Sequence, residues 1–234
     1  MERWISWLKS QGIRLFGVVA LDKIKIDEPG FTYGISLGIK LPNGVVDEVV
    51  NGPTHTYFHT YRTTNALLDR IAYQLVLQLE QQGNRALYIP ASQTVERQAM
   101  RGRVSHKQVA CGAGLGYIGK SALFVSHEFG PRVRLSTVLT DADLSDVENK
   151  LAKERDSSLS EQLIGGTCND CNVCQKACPC GAISGREYVP GMAREDFFDA
   201  EKCSSHMKKA YQLIGRGAVC GICMAVCPKG KNRF

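Results

Sequence analysis

Cys168-Asn-Asp-Cys171-Asn-Val-Cys174-Gln-Lys-Ala-Cys178-Pro179 is the stretch that decides the fold of this 234-residue chain. A shorter version follows as Cys220-Gly-Ile-Cys223-Met-Ala-Val-Cys227-Pro228. With Cys203 between them, eight of the ten cysteines fall between Cys168 and Cys227. In a small secreted chain such density would suggest disulfides. Here the spacing is ordered, and the opening Met1-Glu-Arg-Trp4 shows neither an apolar leader with a cleavage site nor a twin arginine. A cytoplasmic location and metal-bound thiolates are therefore expected.

The first run is C-x2-C-x2-C-x3-C-P, the pattern that holds [4Fe–4S] clusters, in which the fourth cysteine ligates the other cluster of a pair. Three thiolates in a tight loop can reach three irons of one cubane. The residue after x3 points elsewhere, and the proline fixes the turn. The second run is one ligand short, and Cys203 completes it. Cluster one then takes Cys168, Cys171, Cys174 and, by crossover, Cys227. Cluster two takes Cys178, Cys203, Cys220 and Cys223. Sets of four thiolates also suit zinc, but zinc ribbons do not require x2-x2-x3-Pro. Cys111 and Cys180 are left over and read as packing residues.

Outward from the cysteines, composition excludes several classes. Apolar residues make up 44% and charged residues 22%, as in ordinary globular proteins. No apolar run reaches the ~18 residues of a membrane span. The formal net charge is +6. Two clusters of about −2 each would reduce it to about +2, so charge gives no argument for nucleic acid.

Hydrophobic periodicity predicts a helix over 1–12 with Trp4, Trp7 and Leu8 on one face, and strands over 13–21, 33–41, 86–89 and 132–140. Pro42-Asn43-Gly44 reads as a turn. The strongest helix, 64–82, carries Leu68, Ile71, Ala72, Leu75, Val76 and Leu79, with Thr63 or Thr64 as cap and Gly83 as stop. Ser105 caps a helix over 106–111. These elements give an α+β protein with three parts: a cofactor-binding core over 1–145, an exposed polar linker over 146–166 and a ferredoxin-like module of two [4Fe–4S] clusters over 167–234.

Gly114-Leu-Gly116-Tyr-Ile-Gly119 has G-x-G-x-x-G spacing, but a dinucleotide site needs a strand before it and a helix after it. The longer string is more specific. Ala113-Gly-Leu-Gly-Tyr-Ile-Gly-Lys120, then Gly130-Pro-Arg-Val-Arg-Leu135 and Thr140-Asp-Ala-Asp-Leu144, leads into the two-cluster module. Together they resemble the superfamily of epoxyqueuosine reductases and reductive dehalogenases. Tyr61-Arg-Thr-Thr-Asn65-Ala-Leu-Leu-Asp69-Arg70 extends the likeness more loosely.

That resemblance implies a nitroreductase-like α/β core holding a base-off cobalamin, with FMN as the less favoured occupant. It implies corrinoid contacts at Ser105, His106, Lys107, Gly112, Gly114, Gly116, Gly119, Lys120, Arg132 and Arg134. Glycine lets backbone approach a flat ring, and cations suit its phosphate. The implied activity is a cobalamin-binding iron–sulfur reductase. It would take electrons from a ferredoxin or flavodoxin and reduce cob(II) to cob(I) for an unidentified substrate. An electron-transfer or corrinoid-handling protein and a tRNA-modifying reductase are the alternatives. The Asp-Thr-[Gly/Ala]-Pro segment of epoxyqueuosine reductases does not occur in the sequence. Tyr57, His59, Tyr61 and Arg62, expected just before the long helix, are the candidate proton donors.

Overall fold

In the computed structural model, which describes residues 3–96, 100–156 and 168–230, alternating apolar positions build a four-stranded sheet of order β1-β2-β6-β3. Its strands are β1 (Leu15–Ala20), β2 (Tyr33–Lys40), β3 (Ala86–Ile89) and β6 (Val133–Thr140). β1 pairs antiparallel with β2, Leu15 opposite Gly38 and Ala20 opposite Tyr33. β3 pairs antiparallel with β6, Ala86 opposite Thr140. Thr32 N–H donates to the Thr140 carbonyl, and Leu41 N–H to the Arg132 carbonyl, so β2 and β6 also run antiparallel. β4 (Gly116–Ile118) and β5 (Phe124–Ser126) form a separate two-stranded ribbon.

The chain folds into two compact units. The first comprises 1–39, 64–116 and 134–165. Its core joins α1 (Arg3–Ser10) through Trp4 and Leu8, the sheet through Phe16, Val18, Ile35, Leu37 and Val138, and the long helix α3 (His55–Glu80) through Leu68, Ile71, Leu75 and Leu79. α4 (His106–Gly112) lies against the other sheet face, where Val109 approaches Gly34. Each Leu or Ile buried this way contributes about 1.5–3 kcal/mol.

α5 (Ser145–Asp156) falls where an exposed linker was expected, and it is instead part of this unit. Val147 and Leu151 are buried in the core. Glu148 accepts from Ala20 N–H at 3.3 Å and pairs with Lys23 at 2.9 Å. Arg155 donates to the carbonyls of Phe16 and Ala113. Acidic residues in the first turn and basic ones in the last complement the helix dipole. The rest of the expected linker, 157–166, lies outside the described residues.

The second unit comprises 40–63, 117–133 and 166–234, so the cysteine segment is joined by two stretches that the sequence reading assigned to the core. Its apolar cluster contains Leu41, Val46, Val49 and Tyr57 together with Val219, Met224 and Ala225. Asn43 opens a short helix, α2 (Asn43–Asp47), where only a turn was expected. The long helix begins nine residues before the expected Thr64. Thr54, not Thr63 or Thr64, caps it, its Oγ1 accepting from Tyr57 N–H at 3.0 Å. Gly83 ends it as expected, at φ +87°. The remaining helices are α6 (Val173–Ala177), α7 (Ala200–Ala210) and α8 (Ile222–Ala225). No helix among the described residues is long and apolar enough to cross a membrane.

Candidate iron–sulfur centres and the glycine-rich segment

The first cysteine loop turns back at once, Cys171 N–H donating to the Cys168 carbonyl at 2.9 Å, and α6 then carries Cys174. Glu187 Oε1 collects the N–H groups of Cys168 (2.5 Å) and Asn169 (3.0 Å), which pins the loop. Burial first, and then the sulfurs of Cys168, Cys227 and Cys171, push the Cys174 thiol up to about 11. Cys227 sits among the same sulfurs, and its own sulfur accepts from the N–H groups of Lys229 and Gly230. Cys168, Cys171, Cys174 and Cys227 are thus mutual neighbours, the quartet expected for cluster one.

The second group is less sharply bounded, since Cys180 joins it and Cys174 borders it. Asp199 caps α7 by accepting from Lys202 N–H at 2.8 Å, and this helix presents Cys203. Burial and the sulfurs of Cys180, Cys220 and Cys178 push Cys203 up to about 12. Burial and the sulfurs of Cys220, Cys203, Cys174 and Cys178 also raise Cys223 strongly. Cys178 is the exception. Burial opposes its ionisation, but the N–H groups of Cys180, Ala182 and Gly181 hold it below the ordinary thiol value. The Ala182 N–H lies 3.3 Å from its sulfur. Cys220 accepts from Ile222 N–H and from the Tyr211 hydroxyl.

Backbone N–H donors reach the sulfurs of Cys168, Cys174, Cys178, Cys220 and Cys227. Crowded thiols of this kind ionise together only when a metal core replaces their protons. Among the described residues, no group of three or more His, Cys, Asp or Glu is gathered for a single metal ion. Of the two cysteines read as packing residues, Cys111 is partly buried, and its thiol is pushed up to about 12 by burial. Cys180 differs from that expectation. Its sulfur lies 3.7 Å from that of Cys178.

The glycine-rich string divides into residues that serve the fold and residues left open. Ser105 caps α4 as expected, accepting from Gln108 N–H. His106 is taken up by the core: Nε2 lies 3.0 Å from the Pro90 carbonyl and Nδ1 2.8 Å from the Thr137 hydroxyl. A carbonyl only accepts, so Nε2 carries the proton and Nδ1 accepts from Thr137. Lys107 is half-buried beside Cys111. A Cβ on Gly112 would meet Ile24 at 2.3 Å and Val19 at 3.0 Å, so its smallness already serves packing. Gly114 is exposed at φ +70°, and among the described residues the Arg155 side chain is what an added Cβ there would meet within 4 Å. Gly116 opens β4.

The next two residues belong to the first cysteine loop. A Cβ on Gly119 would stand 3.4 Å from the Cys168 sulfur. Lys120 N–H donates to that sulfur, while its buried ammonium donates to the Asn169 carbonyl. Arg132, 1% exposed, is paired to Asp47 at 2.7 Å and bonds Asn43 Oδ1 at 3.3 Å. Arg134 donates to Asn65 Oδ1 (2.8 Å) and the Ala91 carbonyl (3.1 Å). His106, Lys120, Arg132 and Arg134 therefore have protein partners, where corrinoid amides or phosphate were expected. Of the glycines, Gly114 is exposed and Gly116 is half-buried.

The candidate proton donors lie on the first two turns of α3, not before it. Tyr57 is buried against Gly221 in the second cysteine run. Tyr61 packs on the same apolar cluster. Arg62 and His59 are exposed, and both rest on the Phe58 ring. A depression of about 890 Å³ in the first unit is lined by Asp22, Asp27, Glu28, Asp141 and Asp143, an unfavourable wall for a phosphate. None of the ten expected corrinoid contacts lines it.

Residues 167–230 match the family model of the 4Fe-4S double cluster binding domain. A tetrachloroethene reductive dehalogenase of Desulfitobacterium hafniense is 32% identical over 135 residues, covering 53% of this chain and 22% of the relative. An epoxyqueuosine reductase of Lactococcus garvieae is 28% identical over 138 residues, covering 53% and 31%. The chain thus matches less than a third of the length of either relative. A solved reductive dehalogenase, described with a mechanism for B12-dependent dehalogenation, shares the fold with a TM-score of 0.67 at 19% identity, over 94% of this chain and 30% of that one. With its double-cluster cysteine framework and relatives of both kinds, this iron–sulfur protein resembles the superfamily of reductive dehalogenases and epoxyqueuosine reductases.

Proposed function

We propose that the chain is an iron–sulfur reductase whose two clusters pass single electrons to a bound corrinoid. The observation that carries the electron path is the match of 167–230 to the 4Fe-4S double cluster binding domain, and N–H donors at the sulfurs of Cys168, Cys174, Cys178, Cys220 and Cys227 support it. Such donors stabilise the extra negative charge of a reduced cluster and raise its potential. Cys168, Cys171, Cys174 and Cys227 hold cluster one in this reading, and Cys178, Cys203, Cys220 and Cys223 hold cluster two.

The corrinoid is supported by the string from Ala113 to Leu144 and by the likeness to the B12-dependent dehalogenase. When bound, a corrinoid supplies a low-potential cobalt centre. The chain's own part is the backbone at Gly114 and Gly116, which admits a ring where a Cβ would intrude. Arg155 keeps that backbone in place through the Ala113 carbonyl. Exposed Lys202, Lys208 and Lys209 on α7, the helix of Cys203, suit an acidic donor of the ferredoxin or flavodoxin kind. The reduced substrate is left as a class, an electrophile taking electrons from the cofactor, and tRNA is one member of that class.

Anaerobic titration of the cluster-loaded protein with hydroxocobalamin and, separately, FMN tests the proposal. Stoichiometric cobalamin binding, lost in Gly116→Val with iron content unchanged, is expected. Flavin binding alone would replace the corrinoid with a flavin. Binding of neither leaves a plain electron carrier.

A further inference from the structure

Cys180 follows the first cysteine run and belongs to neither quartet, yet it is built into the second one. Its sulfur stands 3.7 Å from the Cys178 sulfur. It also neighbours Cys203 and Cys220. Two thiolates on one tetrahedral metal, with bonds of about 2.3 Å, stand about 3.8 Å apart. One iron can therefore be reached from either sulfur without moving the backbone.

We propose that Cys180 is a reserve ligand for the cluster-two iron held by Cys178, an inference that rests on the two-cluster reading. Each iron of a cubane has a single outward site, so the two cysteines share it in alternation. Cys178 holds it in the intact chain, because three backbone N–H groups converge on its sulfur, Ala182 among them at 3.3 Å. When Cys178 is lost, the iron forms its bond to Cys180. The Cys180 thiol proton passes to solvent, and no electron changes hands. Pro179 holds the two cysteines on one short turn, in which Gly181 N–H bonds the Cys178 carbonyl at 3.2 Å. The exchange therefore needs only side-chain rotation.

Iron counting on the anaerobically reconstituted full chain tests this. The parent is expected to hold about eight irons, the sum for two cubanes. Cys178→Ser should keep about eight, and Cys178→Ser with Cys180→Ser should fall to about four. Cys223→Ser, whose neighbouring thiols are Cys220, Cys203, Cys174 and Cys178, should fall to about four with Cys180 present. Anaerobic alkylation with iodoacetamide gives a second measurement. Cys180 should be labelled in the parent and protected in Cys178→Ser. A fall to about four irons in Cys178→Ser alone, or equal labelling of Cys180 in both proteins, overturns the reserve ligand. A parent with four irons, or with zinc, overturns the two-cluster reading beneath it.

Discussion

The ammonium of Lys120 donates to the carbonyl of Asn169 at 2.5 Å, from a side chain only 8% exposed. Asn169 sits in the first cysteine loop at φ +45°, a left-handed setting that asparagine tolerates better than most residues other than glycine. The same lysine gives its backbone N–H to the Cys168 sulfur. The last residue of the glycine-rich string is therefore a brace for the first cysteine loop. Lys120→Met should remove one charged hydrogen bond, worth about 1.5–3 kcal/mol, and leave the backbone donor in place. Chelation by bathophenanthroline should then release the first four irons several-fold faster than in the parent, with the last four unchanged. Equal release from both clusters would show that the lysine braces nothing.

Metal removal should be felt far beyond the sulfurs. The loop of Cys227 carries Gly230, against which the Arg132 side chain packs, and Met224 and Ala225 lie in the second apolar cluster. Stripping the iron leaves eight crowded thiols and no core to organise them. The apoprotein should lose helical ellipticity and become cleavable by trypsin within 168–230. The unit that contains α1, most of α3 and the sheet should stay resistant. Uniform protease resistance after complete iron removal would contradict the coupling.

His106 gives a pH dependence of definite sign. Burial is the main cause that lowers its pKa from 6.5 to about 4, aided by Arg134 and opposed by its bond to Pro90. The folded state thus holds the imidazole neutral, while the unfolded chain takes up a proton near pH 6.5. The stabilisation is complete above pH 6.5 and is lost as pH falls toward 4. By linkage the loss between pH 7 and pH 5 is about 2 kcal/mol. His106→Gln should flatten this part of the urea-unfolding profile by about that amount. An unchanged slope between pH 7 and pH 5 would show that His106 does not titrate on unfolding.

The core of α3 was readable because its burial follows a period of 3.6 from Leu68 through Leu79, whereas the strands were readable from their runs of β-formers, their burial being continuous on both faces. The first turns of α3 were not. His55-Thr-Tyr-Phe-His-Thr-Tyr-Arg62 shows no apolar stripe of its own, and Tyr57 is buried by residues distant in sequence, among them Val219, Gly221 and Met224. The unit boundaries failed for the same reason, since 40–63 and 117–133 join the cysteine segment through contacts distant in sequence. The double-cluster domain was legible because a cubane dictates the spacing of its thiolates. The glycine string was legible as unusual, but its partners were not. Nothing local says that Gly119 faces Cys168, or that Cys180 comes within 3.7 Å of Cys178.

Gly112 separates packing from ligand contact most directly. An added methyl would stand 2.3 Å from Ile24 Cγ2 and 3.0 Å from Val19 Cγ2. Both are branched at Cβ, so neither can swing aside cheaply. Overpacking costs about 1–3 kcal/mol, against about 1 kcal/mol that alanine gains over glycine in a helix. Gly112→Ala should therefore lose up to about 2 kcal/mol in urea unfolding. In an Ile24→Ala background the new methyl has room, and there Gly112→Ala should stabilise. Cobalamin titration of the double variant then isolates the second role. Normal affinity assigns Gly112 to packing alone, while lost affinity with restored stability makes it a cofactor contact. A single Gly112→Ala variant more stable than the parent would contradict the packing account.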